Sequence, residues 1–489
     1  MMKQKRMITL ILAMLMAVGV MLTAVSCGTP SDDPSTETKD NTVTTVAPET
    51  ETLPPYDALD KENFDRTFAI LCRSEMLDQF FVEGLTGDLL DDMIYTRNAT
   101  IENDFGIAFE FYDVSEAEVN NSMQMQVTSG LDDYDMYSGH LSSLAACAQN
   151  NYCYDLNQIK ALDLDGAWWD QACRENLTVG GKTYVMTGDI DPQSMLISAC
   201  FVYNKRITKE LGKSVEELNE LADNGKWTLD VLYEYGKEAT LDLNGDGSLK
   251  FTDDRFNITS WMYDVPYSLF YGAGGKYVSI VDDTPELSYS TEKIIDTYEK
   301  IYDVLIEQNS CYVTDFGQYG LCYSIFREGR AMFIDLTLNK ITIEVADQMD
   351  DPYGILPVPK YDENQEEYLS FVNGYTPLAM VAKTESDPEF VGAIMEAMAT
   401  YNYDKVTPQL FEVSTKLQAA QDPTSAAMVD YIVRNRIYDL GYFYGWPISG
   451  LIQNNLAKKQ EEIASQLESL RGASEKALAE MIEAYGKHQ

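Results

Sequence analysis

Thr67-Phe68-Ala69-Ile70-Leu71 is apolar enough to be a buried strand, and the alternation of helix and strand patterns downstream of it decides the fold. Asp88 can cap a helix whose apolar face runs Leu90, Ile94, Ile101 and Phe105, with Arg97 interrupting it. Ile107 to Tyr112 alternates as a second strand, and Val119 to Thr128 has helical spacing. Tyr134-Asp135-Met136-Tyr137 is a short strand ending at Ser138-Gly139-His140, and Leu141 to Ala148 is helical again. Such alternation predicts an α/β fold with a mostly parallel sheet and helices on both faces. Ligands of these sheets bind outside the carboxyl ends of the strands. That rule points at the segments after Leu71, after Tyr137 and after Met186.

A second unit begins near Ser198-Ala199-Cys200-Phe201-Val202-Tyr203 and continues with a helix from about Thr208 and another from Leu229 to Ala239. Gly354-Ile355-Leu356-Pro357-Val358-Pro359 reads as a strand closed by a Pro-rich turn. Leu378 to Val381 is another strand and Asp387 to Met398 a helix. From Asn455 to Tyr485 the chain is strongly helical, with Leu456, Ile463, Leu467 and Leu470 on one face and a break expected at Gly472.

At the other end, Lys3, Lys5 and Arg6 precede a nearly all-apolar run from Ile8 to Val25, the pattern of a secretory signal. Ala24-Val25-Ser26-Cys27 resembles the lipobox of bacterial lipoproteins, which implies cleavage before Cys27 and lipid on its sulfur. Gly28 to Tyr56 is rich in Thr, Pro, Ser, Asp and Glu and reads as a tether.

The composition excludes several functions. Of 489 residues, 79 are Asp or Glu and 36 are Lys or Arg, a formal net charge of -43. Such a surface repels phosphate backbones, so no nucleic acid is expected as a partner. Only two histidines occur, His140 and His488, which leaves little for a His triad or a His-rich metal site. The eight cysteines show no zinc or small-disulfide spacing; buried thiols and one or two bridges both remain open.

Asp242-Leu243-Asn244-Gly245-Asp246-Gly247-Ser248 and Asp253 place oxygen side chains at the spacing of a Ca²⁺ loop, with Gly247 at its sharp turn. Asp242, Asn244, Asp246, Ser248 and Asp253 are therefore candidate metal ligands for a structural calcium. Asp253 is shorter than the usual Glu at the last position, and no helix pattern continues beyond it. Val179-Gly180-Gly181-Lys182-Thr183 resembles the end of a P-loop, but Asn176 stands where the first Gly is required, so a turn is expected. Tyrosine outnumbers phenylalanine, 32 to 18, and five tryptophans are scattered along the chain; such rings offer a flat face and a polar tip.

Several strings together resemble the family 1 extracellular solute-binding proteins of ABC importers, the broad group that includes maltose-binding protein. They are Trp168-Trp169-Asp170, Gly188-Asp189-Ile190, Val202-Tyr203-Asn204-Lys205, Lys226-Trp227-Thr228-Leu229-Asp230, Phe326 to Phe333 (FREGRAMF) and Tyr353 to Lys360 (YGILPVPK). Their order and spacing carry the resemblance, from about Thr67 to Trp446.

The resemblance implies a periplasmic-binding-protein type II fold: two interleaved α/β lobes with a hinge and a ligand cleft. On that basis residues 1–26 are the signal and 27–60 the lipidated Cys27 and tether. Lobe one takes 61–187 and 352–400; lobe two takes 188–351 and 401–489. It further implies an extracytoplasmic, lipid-anchored monomer, without enzymatic activity, that passes a carbohydrate to ABC permease subunits. The family's cleft would bring Ser74, Tyr137 and His140 from lobe one, Asp189 beside the hinge, and Trp261, Tyr263, Asp335 and Trp446 from lobe two. Two other classes stay open: a carbohydrate-active hydrolase or lyase with paired carboxylates, and a non-catalytic adhesin.

Overall fold

The computed structural model describes residues 53–288, 291–314, 316–346, 348–411 and 423–487. The expected signal, Cys27 and the tether up to Thr52 lie outside the described residues, as does His488. The expected tether boundary at 60 is too late, because Pro55–Ala58 forms a turn whose Tyr56 is buried edge-on against Tyr401.

Among the described residues, nine strands build the two larger sheets: β1 (Arg66–Arg73), β2 (Ile107–Val114), β3 (Met136–His140), β4 (Ala199–Asn204), β5 (Phe256–Trp261), β6 (Cys311–Thr314), β7 (Ala331–Thr337), β8 (Tyr353–Leu356) and β9 (Pro377–Met380). The first sheet has the order β9-β3-β1-β2. In it β1 runs parallel to β2 and β3, and β9 lies antiparallel on β3 with Pro377 opposite His140. The second has the order β8-β4-β7-β5-β6. Here β5 is parallel to β6 and β7, while β4 is antiparallel to both β7 and β8. The mostly parallel arrangement therefore holds in the first sheet only.

The lobes are interleaved. The chain leaves the first sheet after Met186, which bridges Ala379, and enters the second at β4. Gly188 sits in this crossing at φ 137°, and a Cβ there would lie 2.4 Å from the Trp168 carbonyl oxygen. The chain returns to the first sheet between Leu356 and Pro377. The expected boundary at 352 is thus too early, because Tyr353–Leu356 still pairs with β4. A last passage comes after helix Pro388–Tyr401, which Asp387 caps by accepting from the Phe390 amide.

Arg97 does not merely interrupt its helix (Leu89–Phe105). It is fully buried, and its guanidinium donates to the carbonyls of Gln79 and Phe80 and to Asn402 Oδ1. It thereby pins lobe one to the third crossing. At the C-terminus the expected break is misplaced. Helix Ala464–Lys487 runs unbroken through Gly472, held by buried Leu467, Met481 and Tyr485. The chain turns instead at Lys459, φ 53°, just after helix Leu451–Ala457. Packing of one face overrides the modest cost of an exposed helical glycine.

Seven cysteines, Cys72, Cys147, Cys153, Cys173, Cys200, Cys311 and Cys322, are free thiols. No helix among the described residues is long and apolar enough to cross a membrane.

Candidate ligand-binding cleft

The carboxyl ends of strands from both sheets converge on one cavity of about 380 Å³. Arg73 ends β1, Trp261 ends β5 and Thr337 ends β7, and all three line it. This is where an open α/β sheet places its ligands.

The lobe-one wall carries charge. Arg73 is buried; its Nη2 donates to the Tyr375 carbonyl at 3.1 Å, and its Nη1 lies 3.7 Å from Glu116 Oε2. Burial lowers the guanidinium pKa, opposed by the charge of Glu116. Glu116 opens helix Glu116–Ser129, also approaches His140 Nδ1 at 3.5 Å, and accepts from Ser143 Oγ. Burial pushes its carboxyl up. Ser74 is exposed between Arg73 and Glu75, both lining residues, and donates to the Val114 carbonyl at 3.1 Å.

The lobe-two wall is aromatic. The Trp261 ring lies 4.7 Å from Tyr263 and 5.0 Å from Tyr319, which meets it edge-on at 73°. Tyr319 and Tyr323, one turn apart on helix Tyr319–Arg327, continue the wall with centroids 5.2 Å apart. Lys340 Nζ stands 5.8 Å from the Tyr319 ring centre. Asp264 accepts from Asn373 Nδ2 at 2.7 Å, and burial pushes its carboxyl up to about 6.

Tyr375, just ahead of β9, joins the walls. Its hydroxyl donates to Asn339 Oδ1 at 3.1 Å and lies 2.7 Å from Thr337 Oγ1. Flat apolar faces on one side and charged hydrogen-bonding groups on the other fit a ligand with an apolar face and a polar edge.

Of the expected ligand residues, Trp261 alone lines this cavity; Ser74 and Tyr263 are chain neighbours of lining residues, and His140 lies behind the wall. His140 reaches it through Glu116 and through Tyr375, 6.4 Å away between ring centres. The other four do not. Tyr137 lies inside β3 rather than at its end; it is fully buried and its hydroxyl donates to Gln126 Oε1 at 2.9 Å. Asp335 likewise lies within β7, accepts from Ser268 Oγ at 2.6 Å, and burial raises its carboxyl well above the usual range. Trp446 is buried and stacks near-parallel on Tyr444 at 6.0 Å. Asp189 lines a different cavity, of about 400 Å³, with Trp168, Asp170 and Arg436. There it accepts from Thr407 Oγ1, and burial pushes it up to about 7. Sequence reasoning misses the other lining residues, Arg73, Glu75, Asp264, Tyr319, Tyr323, Thr337, Lys340 and Tyr375. Arg73 and Thr337 end parallel strands, a signal within reach of the carboxyl-end rule.

The calcium-type loop has spent its oxygens internally. Asp242 accepts from the Gly245 and Gly247 amides, Asn244 from Asp246, and Asp246 from Ser248 while pairing with Lys250. Asp253 accepts from Thr252, and Asp254, fully buried, accepts from the Leu243 and Lys250 amides. Among the described residues no group of three or more His, Cys, Asp or Glu is arranged to hold a metal.

No family model matches the sequence, and no curated protein matches it. Solved structures do. UspC of M. tuberculosis aligns at a TM-score of 0.57 with 12% identity, covering 83% of this chain and 98% of that one. The galacto-N-biose-/lacto-N-biose I-binding protein of the ABC transporter from Bifidobacterium longum aligns at 0.54 with 14% identity, covering 85% and 97%. The cyclic alpha-maltosyl-1,6-maltose binding protein from Arthrobacter globiformis aligns at 0.54 with 16% identity, covering 85% and 99%. The interleaved lobes are thus the fold shared with these structures, the periplasmic-binding-protein type II architecture.

Proposed function

We propose that this chain is the solute-binding component of an ABC importer. It captures a carbohydrate, an oligosaccharide or close relative, in the cleft and delivers it to a membrane permease. The two-sided cavity supports this reading most directly. Sugar C–H faces stack on rings such as Trp261 and Tyr319, while hydroxyls pair with groups such as Arg73 and Asp264. Two of the structurally similar proteins bind such sugars, one galacto-N-biose or lacto-N-biose and the other cyclic alpha-maltosyl-1,6-maltose. Contacts from both lobes would favour the closed form, so binding and hinge closure are one equilibrium. No bond is made or broken. The chain acts outside the cytoplasm as a monomer, held to the membrane by lipid on Cys27.

Isothermal calorimetry of the mature protein with a panel of oligosaccharides tests the reading. Saturable 1:1 binding is expected, with the sugar recovered intact and the radius of gyration reduced in scattering. Slow appearance of a hydrolysis or elimination product would favour a carbohydrate-active enzyme instead. Binding without compaction would favour an adhesin. Mass spectrometry of the mature N-terminus should find diacylglycerol on Cys27.

A further inference from the structure

Lys340 stands just past the carboxyl end of β7 on the short helix Leu338–Lys340 and lines the cavity. No carboxylate lies within 4 Å of its ammonium among the described residues; the group it meets is the face of Tyr319. In a chain with 79 acidic residues against 36 basic ones, a cleft lysine with no acid in direct contact is conspicuous; Asp264 feels its charge from farther off. The carboxylates around it are occupied or distant from its role. Glu116 serves Arg73, His140 and Ser143. Asp264 accepts from Asn373 and feels the charge of Lys340 without contacting it. Glu75 is exposed at the rim. Across the cavity, Arg73 is 5% exposed, and its buried Nε has no hydrogen-bond partner among the described residues.

We propose that the saccharide recognised by this cleft carries a carboxylate, as a uronic acid does, and that Lys340 binds it. The inference rests on the carbohydrate reading and narrows its substrate class. A carboxylate beside a sugar ring would give Lys340 a counter-ion in direct contact, which Asp264 does not supply, while the ring face lies against Trp261 and Tyr319. A charge-assisted hydrogen bond formed away from bulk water is stronger than the neutral bond a hydroxyl offers. The carboxylate would also face the Arg73 wall. An anionic ligand therefore interacts with cations of both lobes, and the closed form gains more from it than the open form does.

The test is calorimetry with matched pairs: di- and trigalacturonate against galactobiose and galactotriose, and di- and triglucuronate against cellobiose and cellotriose. At least one acidic member should bind about tenfold or more tighter than its neutral counterpart, the size of one hydrogen bond to a charged group. Lys340→Gln should bring the acidic ligand down to the neutral level, and Lys340→Arg should keep the preference. Lys476→Gln, on the C-terminal helix, should change neither. Circular dichroism and melting curves identify a variant that has failed to fold. Neutral binding equal to or tighter than acidic overturns this inference and leaves the carbohydrate reading standing. A preference that survives Lys340→Gln overturns the role of the lysine. No binding by any member overturns this inference, and the carbohydrate reading falls with it only when the wider oligosaccharide panel is silent too.

Discussion

At the scale of single residues, Trp261 carries the aromatic wall. It contacts both Tyr263 and Tyr319 and sits at the end of β5, so its ring is held in place from two sides. Trp261→Ala should therefore weaken saccharide binding by about 1.5 kcal/mol, roughly tenfold in Kd, with little change in melting temperature. Titration calorimetry beside a thermal melt separates the two effects. The same residue shows what sequence could and could not reveal. Trp261, Ser74 and His140 end strands or come directly after them, so the carboxyl-end rule reaches them. Tyr137 and Asp335 lie inside strands, and pleating turns their side chains into their own lobes. Lys340 and Tyr375 reach the cleft only because the second sheet and the return crossing are folded as they are. No local pattern encodes that.

At the scale of elements, the helix from Leu89 announces itself by its Asp88 cap and apolar face, and the structure adds the reason Arg97 is tolerated there. Helix Ala464–Lys487 defeats its own glycine. A Cβ at Gly472 would meet nothing within 4 Å, so Gly472→Ala should stabilise the protein by about 0.5–1 kcal/mol. A shift in urea midpoint without a change in slope would show it. The 242–253 loop is the opposite case, a spacing match whose oxygens are already engaged. We propose calcium there as a ligand of a rearranged loop, in which Lys250 gives up Asp246. Millimolar Ca²⁺ should then raise the melting temperature and a chelator should reverse the shift. An unchanged melt across that titration would sink the proposal.

At the scale of the whole molecule, burial has raised a set of carboxyls together. Asp189, Asp191, Glu385 and Glu396 are pushed up to about 7, and Asp135 and Asp264 to about 6, in each case chiefly by loss of water. In the unfolded chain such groups titrate near about 3.9 for Asp and 4.3 for Glu. Between those values and 7 the folded protein holds more protons than the unfolded one. Stability must then rise as pH falls from about 7 towards 4.5, and fall as pH rises through 7. The net charge of -43 acts in the same direction, since protonation relieves self-repulsion. Melting temperatures at pH 5 should exceed those at pH 8 at constant ionic strength; the reverse order would contradict the burial of these acids.

The free thiols have a practical consequence. Six are buried and Cys311 is half-buried; burial pushes Cys72, Cys147, Cys311 and Cys322 up to about 12, and Cys153, Cys173 and Cys200 well above the usual range. A thiol that stays protonated is a poor nucleophile. The folded protein beginning at Gly28 should therefore ignore a maleimide, and each label it does take reports a molecule that has opened. Counting labels by intact mass against time turns these silent cysteines into a clock for unfolding, region by region.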